Sequence, residues 1–126
     1  MHTEKFSLKK RIQSFYYAFS GIKTAVKTQH NLQIHLLAVV IVLILGFLLK
    51  INITEWLILL IIFSLVISSE IINSSIELLT DIISPENNLK AGKVKDMAAA
   101  AVLINAIAAL IIGIIIFAPK IIQLIF

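Results

Sequence analysis

Glu70, Asn73, Glu77 and Asp81 follow one another at intervals of three, four and four residues. On a helix that spacing puts all four on one face. A carboxylate in such a row can orient and deprotonate a hydroxyl group. Carboxylates can also hold a hard cation such as magnesium, which is typically bound by one or two of them together with phosphate oxygens. The row begins within an apolar stretch, and ionisable groups at membrane depth are costly and usually mark a site or a pathway. A plainer reading is that the last turns of this helix emerge into water. It accounts for Asp81 but poorly for Glu70, which has Ile71, Ile72 and Ile76 around it.

Lys95 and Asp96 form a second polar pair, predicted to stand at the start of the next helix. An acid there complements the helix dipole, so capping is the bland role for Asp96. A cation is disfavoured at that end, and Lys95 near the carboxylate face could bind phosphate instead. Asn105 lies deep in an apolar run, where an interhelical hydrogen bond is the expected role. His30 and His35 flank another such run, with interfacial hydrogen bonding as their default. Phosphate loops of the G-x-x-x-x-G-K-[ST] type, G-x-G-x-x-G, H-E-x-x-H and a Ser-His-Asp pattern are all missing from the sequence.

The elements that must position these groups are membrane helices. Of the 126 residues, 60% are hydrophobic and 14% charged, too apolar a balance for an ordinary soluble domain. Three spans are predicted, at about 31–49, 56–83 and 94–119, each long enough for a hydrocarbon core that needs about 20 helical residues. Lipid offers no partner to an unpaired backbone group, so the spans must be helical. The fold class is therefore all-α integral membrane, in a single membrane-embedded domain over residues 1–126. There is no cysteine, which excludes disulfides and thiolate metal sites. The net charge of +4 speaks to orientation and lipid headgroups rather than nucleic acid.

Lys5, Lys9, Lys10, Arg11, Lys23 and Lys27 precede the first span, and Lys90, Lys93 and Lys95 separate the second from the third. The first connection has only Lys50 and the C-terminal end only Lys120. The excess predicts a cytoplasmic N-terminus, a cytoplasmic second loop and an outside C-terminus. Trp56 would then stand at the outer boundary. Over about 7–27, Ile12, Phe15, Tyr16, Phe19, Ile22 and Val26 recur at steps of three and four, bracketed by lysines. That pattern predicts an amphipathic helix on the cytoplasmic headgroups, packing against the bundle being the alternative.

The run Glu70-Ile71-Ile72-Asn73-Ser74-Ser75-Ile76-Glu77, then Asp81, then Lys95-Asp96-Met97-Ala98-Ala99-Ala100-Ala101-Val102-Leu103 resembles the prokaryotic diacylglycerol kinase family. The resemblance extends from about Phe6 to Lys120. Thr54-Glu55-Trp56-Leu57 and Ser84-Pro85-Glu86 look more like its undecaprenol kinase branch. The resemblance implies a small homotrimeric lipid kinase of the inner (cytoplasmic) membrane, which moves the γ-phosphoryl group of MgATP to a lipid primary alcohol. It implies Glu70 as general base, in contact with the lipid, and Asn73 as a supporting hydrogen-bonding group. Ala99 would contact the lipid substrate. Glu77 would ligate magnesium, and Tyr17, Glu77, Glu86, Lys95 and Asp96 would bind the nucleotide.

Two positions depart from the family pattern. Gln29 stands where a glutamate, a second metal ligand, is usual. Its carbonyl oxygen can still coordinate, without charge, so weaker magnesium binding is expected. Asn87-Asn88 replaces an aromatic and a histidine. Undecaprenol is the first expected substrate and diacylglycerol the second. The rival readings are a catalytically impaired relative that binds lipid or nucleotide, and a structural membrane subunit whose polar face is interhelical glue.

Overall fold

The computed structural model describes residues 4–126; residues 1–3, the first of the predicted domain, lie outside the described residues. Four helices follow in order: α1 (Leu8–Thr28), α2 (His30–Leu48), α3 (Ile53–Ile83) and α4 (Leu89–Ile125). α2, α3 and α4 are each long and apolar enough to cross a membrane. The chain is an integral membrane protein with three such helices.

α1, α3 and α4 each start where a side chain occupies unpaired backbone donors of the first turn. Ser7 accepts from the Lys10 amide to start α1, whereas Asn88 accepts from the amides of Lys90 and Ala91 to start α4. Asn52 and Glu55 form a reciprocal capping box at α3, with bonds of 2.9 and 3.1 Å. Gln29 breaks the chain direction between α1 and α2 in an extended conformation. Gln33 then reaches back, its Nε2 donating to the Val26 carbonyl at 2.9 Å and to the Lys27 carbonyl at 3.4 Å. This pins the corner by satisfying the terminal carbonyls of α1.

α3 and α4 make the most extensive helix pairing. Their contacts run in opposite numerical order, Lys95 with Asp81, Asn105 with Leu65 and Lys120 with Glu55, so the pair is antiparallel. The Asn105 Nδ2 donates to the Leu65 carbonyl at 3.2 Å, the interhelical bond expected for it. At one end of the pair lies an apolar core of Ile51, Leu59, Ile62, Ile116 and Phe117, with Trp56 packed against it. Lipid is as apolar as these side chains, so close packing rather than transfer from water holds them together. Ile61, Leu103 and Ile115 point outward and are exposed, as lipid-facing residues are in a membrane protein.

The helix that carries the third predicted span is longer than that span. α4 begins at Leu89, not near 94, so the connection from α3 is Ser84 to Asn88 and Lys90, Lys93 and Lys95 all stand on the helix. Asn88 is the cap, and Asp96 lies inside the helix, where it caps nothing. α4 also continues through Pro119 to Ile125. Proline lacks an N–H and removes one helical bond, but membrane helices tolerate this.

Candidate functional site

α3 carries the site because its last turns bring polar groups into the interior of the helix pair. Glu70 is 2% exposed and Asn73 4%, and Thr80, two turns beyond Asn73, is also buried. Asn73 Nδ2 donates to Glu77 Oε1 at 3.4 Å, which links the two through the helical i to i+4 relation. Asn73 Oδ1 is buried and has no hydrogen-bond partner among the described residues. An orphaned buried acceptor is costly in a protein and calls for an explanation. Here it adds an uncommitted oxygen next to two carboxylates.

Glu70 has a neighbour from another helix. His35 Nε2 of α2 is 3.7 Å from Glu70 Oε2. This pairing did not show in the sequence, where His35 flanks an apolar run and carries no spacing that ties it to residue 70. Only the packing of α2 on α3 reveals it.

A second group of polar residues lines a cleft of about 470 Å³ where α3 turns into α4. Asp81, Glu86, Lys95 and Asp96 all contribute to its wall. Lys95 Nζ is paired with Asp81, so the lysine expected to be free for phosphate has an internal partner. Asp81 thereby gains a role beyond the solvated helix end of the plainer reading. Glu86 is exposed in the loop, where its backbone carbonyl accepts from Ser84 Oγ at 3.2 Å. Ala99 lies four residues beyond Lys95 on the same face of α4 and is exposed.

Tyr17 and Gln29 are not part of that cleft wall. Tyr17 is exposed on α1, its ring edge-on to Tyr16 with centroids 5.8 Å apart. Gln29 is half-buried at the α1–α2 corner, where its Nε2 donates to Thr28 Oγ1 at 3.2 Å. The structure thus groups the sequence-predicted residues into two neighbouring sets on one helix end, Glu70–Asn73–Glu77 and Glu86–Lys95–Asp96.

The buried Glu70, the half-buried Glu77 and a cleft of mixed charge thus lie along the second half of α3 and the start of α4. Residues 16–117 match the family model described as Prokaryotic diacylglycerol kinase. The chain belongs to that family. It is 38% identical over 113 residues to a protein of Bacillus subtilis named Undecaprenol kinase, covering 90% of this chain and 92% of that one. It is 34% identical over 112 residues to a Synechocystis protein named Diacylglycerol kinase, covering 88% of this chain and 64% of that longer one. Membership of the diacylglycerol kinase family makes the chain a lipid kinase and so a user of ATP.

Proposed function

We propose that this chain phosphorylates undecaprenol, taking the γ-phosphoryl group of ATP to give undecaprenyl phosphate. The observation that carries the reading is the Glu70 carboxylate, 2% exposed on the face of α3 that also bears Asn73 and Glu77, in a chain of this family. The similarity to the Bacillus subtilis protein, which extends over nearly all of both chains, favours the polyprenol over diacylglycerol.

In this reading Glu70 takes the proton of the lipid hydroxyl, and Asn73 supports it by hydrogen bonding. Phosphoryl transfer depends mainly on positioning and on stabilising charge, so a small set of fixed polar groups suffices. Tyr17, Glu86, Lys95 and Asp96 bind the nucleotide, and Ala99 borders the lipid. Lys95 would then exchange or share its Asp81 partner with phosphate oxygens.

The donors present fit magnesium. Glu77 supplies a carboxylate, and Asn73 Oδ1 is a buried oxygen without a partner. Among the described residues no three His, Cys, Asp or Glu side chains come together as a metal cage. Magnesium is typically held by one or two carboxylates and completed by phosphate oxygens. Glu77 and the Gln29 carbonyl would hold it, and the bound ion would neutralise charge on the transferring group.

The site is read at the cytoplasmic face of the inner membrane, with the N-terminus inside, the C-terminus outside and α1 on the headgroups. The lysines before α2 and at the start of α4 support this orientation. With Trp56 at the outer boundary, Glu70 stands about 21 Å along α3 and Glu77 about 32 Å, at a rise of 1.5 Å per residue. Glu77 therefore reaches the far side of a hydrocarbon core about 30 Å thick, and Glu70 lies about 9 Å inside it. The assembly is read as a homotrimer, as the family resemblance implies. Gln29 favours a second reading, a relative with weakened metal binding.

The test is magnesium-dependent transfer from labelled ATP to undecaprenol and to diacylglycerol in mixed micelles. Faster labelling of undecaprenol is expected. Faster labelling of diacylglycerol would move the chain to the other branch, and no labelling of either by an assembled protein would remove the kinase reading.

A further inference from the structure

We propose that His35 is a positioning residue for Glu70, holding one carboxylate oxygen so that the other is aimed at the lipid hydroxyl. The inference rests on the kinase reading above and adds a group that reading does not use.

Three observations converge on it. His35 comes from α2 and brings Nε2 to 3.7 Å from Oε2 of Glu70, which is itself almost wholly buried. His35 is the basic group within ion-pair range of that carboxylate among the described residues. The His35 side chain keeps a quarter of its surface exposed and lines a cavity of about 530 Å³ between α2, α3 and α4. The rest of that cavity's wall is apolar, from Ala38 and Val66 to Phe117 and Ile121. The imidazole is thus the polar group between a lipid-like space and the buried acid.

The chemistry asks for such a group. A carboxylate has two oxygens, and a base that can rotate offers the wrong one part of the time. An imidazole with its proton on Nε2 donates to Oε2 and leaves Oε1 to accept. At 3.7 Å the contact is longer than a hydrogen bond, and contacts of this kind tighten as the reacting groups engage. In the transfer step the hydroxyl proton passes to Glu70 Oε1 as the lipid oxygen bonds to the γ-phosphorus. The bond from that phosphorus to the β–γ bridging oxygen breaks, and ADP leaves with the electron pair. Glu70 then returns its proton to solvent. His35 touches none of the reacting atoms.

A purely structural pair would only hold α2 to α3, and the two roles separate in kinetics. The full chain in mixed micelles is compared with His35→Leu and His35→Gln, each checked for assembly and helix content. The leucine variant is expected to lose about a hundredfold in kcat, the size of effect misplacement by an ångström can produce, with KM for MgATP within about threefold. The glutamine variant, whose amide can donate from a similar position, is expected to recover most of that loss. Independently, the imidazole ¹⁵N signals of His35 are expected to shift on Glu70→Gln. An unchanged kcat in His35→Leu, or equal losses in both variants, overturns the proposal, as do imidazole signals indifferent to Glu70→Gln. If the unaltered chain phosphorylates no lipid alcohol, the kinase reading falls and takes the inference with it. An active parent with an active His35→Leu overturns the inference alone.

Discussion

The two ends of α3 use polar groups in opposite ways. At the Trp56 end the paired polar groups have visible structural tasks. Asn52 and Glu55 cap the helix, and Glu55 also meets Lys120 of α4 at 3.2 Å. Between them and the middle of the helix lies the apolar core, where Trp56 packs so closely on Gly46 that a Cβ there would come within 2.5 Å of the indole. At the Glu70 end the buried groups include a carboxylate and an amide whose oxygen has no partner among the described residues. A helix optimised only for packing would not retain them, since a buried unsatisfied acceptor costs about 1–3 kcal/mol. The contrast teaches that a single helix can be scaffold over its first half and site over its second.

The comparison can be broken most sharply at Glu70. Glu70→Gln keeps the shape and removes the base, and turnover is expected to fall about a thousandfold while the protein stays assembled. Transfer assays alongside size-exclusion chromatography check both halves of that statement. A variant that dissociates instead would make Glu70 a structural group like Glu55. Next in size is Gln29→Glu, which adds a charged ligand at the site end. It is expected to raise the apparent affinity for magnesium about tenfold, read from activity against magnesium concentration.

At the scaffold end the expected effects are on stability. Gly46→Ala drives a methyl group into the Trp56 ring and is expected to cost about 1–3 kcal/mol, as overpacking does. A lowered Tm in detergent with kcat unchanged would show it, whereas a loss of kcat alone would blur the division between the two ends. The smallest effect belongs to Lys120→Met. A partly exposed ion pair contributes less than about 1 kcal/mol, so Tm should move by no more than a few degrees.

The sequence by itself determined the three apolar helices, because in lipid every backbone group must be satisfied within its own helix and composition alone reveals the spans. It also determined the acid row on α3, since a helical repeat of 3.6 residues turns spacing directly into a shared face. The interhelical role of Asn105 was legible for the same reason, an amide in lipid having few partners but another helix. The start of α4 was less legible. Lysines read as loop residues, yet the Asn88 side chain caps the helix before them. Its far end lies beyond the charge-free run, which stops before Lys120, because a membrane helix can pass through Pro119.

Only the tertiary structure decided the contacts between residues remote in the chain. His35 meets Glu70, Lys95 meets Asp81, and Gly46 receives Trp56. Local periodicity says which face of a helix a residue occupies but not which helix that face meets. That depends on how α2, α3 and α4 pack together, and therefore on all of their side chains at once.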